Sequence, residues 1–341
     1  MTDFSQLLDK FVKEKKIHIY SMAKYCGIDR STLYKIINGK RLPPISSIRD
    51  KMANFMQLTP DEIRQFNLAW TISTVGKSNY YRRKSVEAFL LNFPNITSTI
   101  PGEKFSIPEK LPDDLSCISF SGKNTFYSYL QYIIKTEYLF ENGKIGLLIQ
   151  PDNKILMQCL NVQSSSSNSV RIEHLFCLES TEQLSDSDEY CFFDYFANIL
   201  LPFKNGLDYH PYCFYDNISA HFSNLNLFSD LVLTTEYVLF CTHDYAGGIL
   251  CHEPNIVEMI WNLFSTYQNI CFPVLKKTPK RVFHYQADSI INNLTKGKLL
   301  LETNNDVLYL TFEDIHKQTI CLTLYTPMFI YSFIDYLKTI K

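Results

Sequence analysis

One segment, residues 17–42, constrains the fold of this 341-residue chain more than any other. Small and apolar side chains recur at helical spacing in its first half, and Gly27 supplies a residue that tolerates left-handed backbone. Asp29 is a good N-cap for a second helix, whose apolar side chains again share one face. The pattern predicts two short helices that are joined by a tight turn and cross closely. The apolar positions are Met22, Ala23, Cys26, Leu33, Ile36 and Ile37.

The outward face of the second predicted helix carries cationic and hydroxyl side chains, which suit base edges and phosphates. Asn38 and Gly39 then end the helix, and a basic pair follows where a phosphate strand would pass. An ordinary helical hairpin with a solvated polar face is the alternative, but the turn, the donors and the basic pair agree with one another. The segment therefore predicts a helix-turn-helix whose second helix enters the DNA major groove. The predicted DNA-contacting residues are Arg30, Ser31, Thr32, Tyr34, Lys35, Asn38, Lys40 and Arg41.

These residues resemble the lambda-repressor/Cro-like regulators, also called the xenobiotic-response-element (XRE) family. The resemblance is carried by Ser21-Met22-Ala23, by residues 27–33 and by residues 36–41, with Pro43 just beyond. It implies a five-helix DNA-binding domain that works as a dimer on a two-fold-related operator. It also implies that Arg30, Ser31 and Lys35 read bases, whereas Asn38, Lys40 and Arg41 contact the DNA backbone. The resemblance ends with this N-terminal region.

The surrounding residues favour an all-α, five-helix domain over residues 1–75. Apolar side chains recur at helical spacing over residues 4–12 and again over residues 45–55. Thr59-Pro60-Asp61-Glu62 combines an N-cap, a proline at the first helical position and a capping-box glutamate, so a fifth helix starts there. Another helix is predicted over residues 78–92, and we interpret its basic cluster, residues 80–84, as a solvated face rather than a phosphate contact.

Charge divides the chain into two opposite parts. Residues 1–92 contain 16 Lys and Arg against 8 Asp and Glu, whereas the remainder contains 17 against 27. A basic region attracts DNA phosphates through counterion release, and an acidic region is repelled by them. We therefore expect the DNA-binding surface in the first part alone.

Prolines between residues 94 and 112 favour an extended connector. We expect a DNA-binding domain over residues 1–75, a connecting helix and linker over 76–112, and a mixed α/β (α+β) effector or dimerisation domain over 113–341, with room for two subdomains. Within this last part, residues 145–149, 155–160 and 170–178 read as strands, and residues 254–267 and the segment after Pro327 read as helices. Residues 164–169, rich in serine, read as a loop.

No segment is long and apolar enough to span a bilayer, and the first residues lack the apolar core of a signal peptide. We therefore expect a soluble, cytoplasmic, bacterial protein with no membrane partner. The ten cysteines are scattered and contain no Cys-x-x-Cys pair. We interpret them as small buried apolar groups in a reducing compartment, with redox sensing as the minor alternative.

Known chemical motifs are incomplete in the C-terminal part. His252-Glu253 lacks the second histidine of a zinc-peptidase motif. The order of elements is similar to that of phospholipase-D-like sensor domains, but none of the eight histidines begins their His-x-Lys pair.

Two polar groups nevertheless suit a ligand. The first contains zinc-type ligands, but adjacent Cys251 and His252 point to opposite sides of a strand, so no metal and no cofactor is predicted. The second lies among aromatic residues and suits either a small-molecule pocket or, as we prefer, a packed loop. The first group is Cys241, His243, Asp244, Cys251 and His252, and the second is Asp208, His210, Cys213 and Asp216.

These observations predict a sequence-specific transcriptional regulator that binds a double-stranded DNA operator as a homodimer. A small-molecule or protein effector would act on the C-terminal domain, which we expect not to be an enzyme. The alternative is an enzyme, or a phage-defence or stress effector, that the helix-turn-helix domain autoregulates or localises. A third possibility is a pure protein-interaction platform, which requires an exposed apolar patch.

Overall fold

The computed structural model describes residues 2–42, 45–96, 116–162, 169–179, 191–216, 227–278, 293–296, 298–304, 307–314 and 316–340. The chain divides into two compact units, Met1–Lys84 and Ser85–Lys341, which we call the head and the body. The domain boundaries at residues 75 and 112 stay predictions. Most of the predicted linker, from residue 97 onward, lies outside the described residues.

Helices joined by short turns make up the described part of the head. A further helix, α6, starts in the head and ends in the body. The bounds are α1 (Asp3–Glu14), α2 (Ile19–Cys26), α3 (Arg30–Ile37), α4 (Ser46–Phe55), α5 (Pro60–Val75) and α6 (Lys77–Asn92).

The head has its own apolar core, which gathers the helical faces predicted from the sequence. All six predicted apolar positions of α2 and α3 are buried, and the ring of Phe4 in α1 packs on that of Phe66 in α5 at 4.7 Å between centroids. The predicted capping box is formed, because Thr59 and Glu62 each accept the other's backbone N–H. Glu62 also pairs with Lys15 at 2.9 Å, which ties the end of α1 to the start of α5.

The described strands of the body form one eight-stranded and one four-stranded sheet. The larger sheet has the order β1-β7-β6-β5-β2-β3-β4-β8, in which β2, β3 and β4 are parallel and the other pairs are antiparallel. The smaller sheet, β10-β11-β12-β9, is antiparallel. The strands are β1 (Cys117–Ser121), β2 (Lys144–Leu148), β3 (Arg171–Glu179), β4 (Asp208–Asp216), β5 (Asp230–Leu233), β6 (Val238–Cys241), β7 (Gly247–Cys251), β8 (Phe272–Pro273), β9 (Leu275–Lys277), β10 (Leu299–Asn304), β11 (Val307–Glu313) and β12 (Thr319–Leu324).

Helices pack on both faces of the larger sheet. One face packs against α7 (Lys123–Glu137), α8 (Lys154–Val162) and α9 (Cys191–Lys204), and the other packs against α10 (Pro254–Gln268). Trp261 of α10 donates its indole N–H to the carbonyl of Thr234 at 2.9 Å. A side chain at Gly146 would begin 3.0 Å from the Trp261 ring, so glycine permits this close packing. The last helix, α11 (Pro327–Ile340), contributes Phe329 and Phe333 to the core.

The helical head and the mixed α/β body confirm the predicted fold class at that level. The strands predicted at 145–149 and 170–178 and the helices predicted at 254–267 and after Pro327 are also present. Two body predictions are wrong. Residues 155–160 belong to helix α8 rather than a strand, because Asn153 accepts the backbone N–H of Leu156 at 2.9 Å and starts a helix. Residues 208–216 form β4 rather than a packed loop.

The predicted serine-rich loop lies outside the described residues except for Ser169. Among the residues that are described, no helix combines the length and apolar character needed to cross a membrane.

Candidate functional site

The turn between α2 and α3 has the backbone conformation that the sequence predicts. Gly27 has φ of +71°, and the N–H of Ile28 donates to the carbonyl of Ala23 at 3.1 Å. A β-carbon added at Gly27 would meet no atom within 4 Å. Glycine is therefore required here for its left-handed backbone and not for space. Ala23 is buried where the two helices meet.

Asp29 caps α3 and holds the first hydroxyl groups of its outer face. Its carboxylate accepts the Thr32 backbone N–H at 2.8 Å, the Thr32 hydroxyl at 2.7 Å and the Ser31 hydroxyl at 2.6 Å. These hydrogen bonds, led by those from the two hydroxyls, hold the pKa of Asp29 well below its ordinary value. Ser31 and Thr32 are thus fixed at the start of α3 and can offer their hydroxyl oxygens as acceptors.

The first residue of α3, Arg30, is an exposed cation supported by the aromatic ring of Tyr34 one turn later. The Arg30 guanidinium lies 5.4 Å from the centre of the Tyr34 ring and donates to the Tyr34 hydroxyl at 3.4 Å. Both side chains are exposed, as is Lys35 one residue further on. Stacking against the ring restricts the long Arg30 side chain before any ligand arrives.

The basic pair Lys40 and Arg41 lies in the turn that follows α3. Gly39 has φ of +71°, which lets the N–H groups of Lys40 and Arg41 both reach the carbonyl of Lys35, at 2.8 and 3.2 Å. The side chains of Asn38, Lys40 and Arg41 are exposed.

The structure therefore brings the eight predicted DNA-contacting residues together on α3 and the turn that follows it. Seven of them are exposed and Thr32 is partly exposed. Their contact with DNA stays a prediction.

A second candidate site lies in the body, and sequence reasoning missed most of it. We call it the edge cluster: Asp152, Asn153, Ser229, Asp230, His243 and Tyr245. Its residues come from the loop after β2, the start of β5 and the turn between β6 and β7. They meet because β5 runs antiparallel to β2, with Leu231 opposite Leu148, so Asp230 lies beside the carboxyl end of β2. That end of parallel strands is where α/β sheets commonly bind ligands.

Asp230 is the buried centre of the edge cluster. It has no exposed surface, and among the described residues neither carboxylate oxygen has a hydrogen bond of good geometry, although His243 and Tyr245 both lie close enough to lower its pKa. The imidazole of His243 faces it, with Nδ1 3.5 Å from a carboxylate oxygen, which is within ion-pair range but too long for a good hydrogen bond. Burial raises the pKa of Asp230, and the Asp230 carboxylate raises the pKa of His243.

Further polar atoms of the cluster are also unsatisfied. The Nδ2 of Asn153 and the Oγ of Ser229 are buried without a partner in the described part of the chain. The Tyr245 side chain is within hydrogen-bonding reach of both Asp230 and Asn153, and its ring stacks on Phe126 at 4.8 Å between centroids. Buried polar groups are normally hydrogen-bonded, so these side chains have the capacity to bind a polar ligand.

The first polar group considered in the sequence is not assembled into one site. In the β6–β7 ladder, Cys241 lies opposite Gly248 while Cys251 lies opposite Val238, so the two thiols stand at opposite ends. Within the described ranges, no three metal-ligating side chains are gathered in one place. In the second group, His210 and Asp208 pair at 3.0 Å on one face of β4, while Cys213 is buried on the other. The His210 hydrogen bond lowers the pKa of Asp208.

Comparisons with known proteins bear on the head. Residues 8–63 match the family model described as helix-turn-helix, which confirms the recognition of a Cro/C1-type motif there and indicates a DNA-binding head. No curated protein matches the chain. Matching solved structures include that of TrmBL2, an archaeal chromatin protein with a novel mode of DNA binding. It is 10% identical over 79% of this chain and 100% of that chain, with a TM-score of 0.28. At this TM-score the similarity supports no conclusion about fold or function.

Proposed function

We propose that this protein is a bacterial, cytoplasmic, sequence-specific transcriptional regulator. The observation that carries the proposal is the outer face of α3, where Arg30, Ser31 and Lys35 are displayed at the surface of a helix-turn-helix unit. The second helix of such a motif lies in the major groove, with its first residues at base edges. Arg30 and Lys35 then read bases, whereas Lys40 and Arg41 fix the position of the unit on phosphates.

The experiment is selection of bound sequences from random duplex DNA by the full chain, followed by gel-shift titration of variants. Arg30→Ala should lose about 1–3 kcal/mol of binding free energy on the selected operator and relax the preference at one base pair. Lys10→Ala is the matched control, because it removes an exposed positive charge from α1. Equal affinity of Arg30→Ala and wild type for the operator would reject Arg30 as a base reader.

We also propose that the regulator is a homodimer, because two heads are needed to read a two-fold-related operator. The outer side of α10 supports this. Met259, Leu263 and Tyr267 follow one another at intervals of four residues and are 52, 47 and 57% exposed. Exposed apolar patches of this kind mark interaction surfaces, and a self-complementary patch serves a second copy of the same chain.

Sedimentation velocity tests the dimer. Leu263→Glu should convert a dimer to a monomer, since it buries a charge at the interface. Gln65→Glu, which adds the same charge to an exposed position on α5, should leave the dimer intact. A wild-type chain that stays monomeric at micromolar concentration would contradict the dimer, and a dimeric Leu263→Glu variant would contradict the assignment to α10.

For the body we propose effector sensing at the edge cluster rather than catalysis. The buried Asp230 carboxylate favours a compact organic cation with N–H donors, because such a ligand could offer it shorter hydrogen bonds than His243 does at 3.5 Å. Asn153 Nδ2 would in turn donate to an acceptor on the same ligand.

The test is calorimetric titration of the full chain with ethanolamine, putrescine and agmatine, each with wild type and Asp230→Asn. Binding by wild type that Asp230→Asn weakens at least tenfold supports the site. Absence of binding by all three probes contradicts it, and leaves the DNA-binding proposal standing. The carboxylate and imidazole of Asp230 and His243 would also serve the alternative, an enzyme, which predicts turnover that Asp230→Asn abolishes without changing operator affinity.

A further inference from the structure

Two cysteines lie directly opposite each other on β1 and β7, and β1 is the outermost of the described strands at that side of the larger sheet. β1 is the first strand in the sheet order, and its Cys117 is the register partner of Cys251 in β7. The N–H of His252 donates to the carbonyl of Ser116 at 2.7 Å, which marks the neighbouring pair as hydrogen-bonded. In an antiparallel ladder the two kinds of pair alternate, so Cys117 and Cys251 form a non-hydrogen-bonded pair. Their side chains therefore lie on the same face of the sheet, in the kind of pair whose two residues are closer together.

The two thiols are in contact. Sγ of Cys117 lies 2.6 Å from Sγ of Cys251. Cα atoms of a non-hydrogen-bonded pair are about 4.5 Å apart, which falls at the short end of the range that disulfides bridge. A covalent bond between these sulfurs consequently requires no rearrangement of the backbone.

The two cysteines differ in access to solvent. Of the cysteines that the structure describes, Cys117 is exposed and Cys271 is partly exposed, whereas Cys251 and the remaining ones are buried. Burial raises the pKa of Cys251 to about 12, so Cys251 is the less reactive thiol of the pair and peroxide reacts first with the exposed Cys117. An exposed cysteine beside a buried one is the arrangement of an attacking and a resolving thiol. This finding corrects the interpretation of all the cysteines as small buried apolar groups.

We propose that Cys117 and Cys251 form an oxidation site that peroxide converts reversibly into a disulfide. In the first step the Cys117 thiolate attacks hydrogen peroxide: an S–O bond forms, the O–O bond breaks, and the departing hydroxide takes up a proton to leave as water. In the second step the Cys251 sulfur attacks the sulfenic acid: the S–S bond forms, the S–O bond breaks, and the hydroxyl leaves with the Cys251 proton as a second water. The two cysteines together lose two electrons, which reduce the peroxide to water.

The Cys117–Cys251 disulfide would link the outermost described strand, β1, to β7 by a covalent bond in addition to its backbone hydrogen bonds. Edge strands are the part of a sheet that separates most readily, since they are held on one side only. The proposed oxidation site follows from the register of β1 and β7, and it does not depend on the proposed DNA-binding function.

Peptide mapping of the full chain tests the site. Protein treated with hydrogen peroxide is alkylated under non-reducing conditions and digested. We expect the peptide containing Cys117 to be joined to the peptide containing Cys251, and dithiothreitol to restore two free thiols. Cys117→Ser should abolish the cross-link, and it replaces an exposed side chain, so the fold is retained. Cys271→Ser, which changes a partly exposed cysteine of the same body, should leave the cross-link unchanged.

Three results would overturn the proposal. The first is Cys117 oxidised to a sulfinic acid while Cys251 remains a free thiol. The second is a cross-link from Cys117 to any other cysteine. The third is quantitative alkylation of both cysteines after peroxide treatment.

Discussion

Two carboxylates, Asp29 in the head and Asp230 in the body, lie in opposite surroundings. In the head, Asp29 lies at the surface, accepts three short hydrogen bonds and has a lowered pKa. In the body, Asp230 is fully buried, has His243 Nδ1 at 3.5 Å rather than a short hydrogen bond, and has a pKa that burial raises. The first carboxylate stabilises the local fold and supports an exposed surface, as recognition of a large partner requires. The second is a buried acceptor that could form further hydrogen bonds, as the small ligand proposed for it requires.

The largest expected effect tests whether the two units are separate. Leu33 and Leu239 are both fully buried, the first in the core of the head and the second in the core of the body. Replacing either with alanine should cost about 2–5 kcal/mol. In differential scanning calorimetry, Leu33→Ala should lower the midpoint temperature of one unfolding transition, and Leu239→Ala should lower that of another. Leu33→Ala should also abolish operator binding. A single transition that both variants shift equally would contradict the division.

The next effect concerns the turn that orients α3. Gly27→Ala places a β-carbon in open space but keeps φ at +71°, so it should cost about 1–2 kcal/mol from backbone strain alone. Gly247→Ala is the matched control, because its added β-carbon makes only an ordinary contact at 3.6 Å and no positive φ is needed there. Chemical denaturation measures both changes. Equal losses at the two positions would show that the conformation of Gly27 is not the cause.

The helix-turn-helix could be predicted because its signals are local. Gly27, Asp29 and the apolar face of α3 lie within 11 consecutive residues, and each constrains the same short piece of backbone. The edge cluster could not be predicted in this way. Asp152 and Asp230 are 78 positions apart in the sequence and meet only because β5 pairs with β2.

The wrong strand prediction for residues 155–160 has a local origin instead. Residues 155–160 are an apolar run that periodicity alone assigns to neither a strand nor a buried helix. The Asn153 cap was the available signal for α8. The pairing of Cys117 with Cys251, 134 positions apart, requires the strand register, which no sequence pattern indicates.

The edge cluster predicts a pH dependence of stability in the body. A carboxyl whose pKa is raised by burial binds its proton more tightly in the folded state, so its stabilising effect is present at low pH and is lost as pH rises through the folded-state pKa. His243 also has a raised pKa, so its stabilising effect is present below about 6.5, its ordinary pKa, and is lost as pH rises above it. Both groups therefore make the body less stable as pH increases.

Asp230→Asn should flatten this profile and raise the free energy of unfolding at neutral pH, because it removes the group whose pKa burial raises. Denaturant titrations between pH 4 and pH 8, about the range over which Asp and His titrate, measure it. Glu236→Gln, which removes an exposed carboxylate, should retain the wild-type profile. A destabilised Asp230→Asn at neutral pH would mean that the charge is already satisfied in the folded protein.

The smallest effect separates phosphate contacts from base contacts. Lys40→Ala and Arg41→Ala should weaken binding to all duplexes alike, and each should reduce the slope of log affinity against log salt by about 1. Lys10→Ala should leave the slope unchanged. If Lys40→Ala changed the base preference while the slope stayed constant, Lys40 would belong with the base readers.

Hydrogen exchange of the full chain, with and without the selected operator, tests the central claim most directly. If the outer face of α3 enters the major groove, operator DNA should slow exchange of backbone amides most strongly over residues 27–41, and a scrambled duplex should protect them much less. Protection confined to the body, or equal protection by both duplexes, would contradict the claim that α3 reads the sequence.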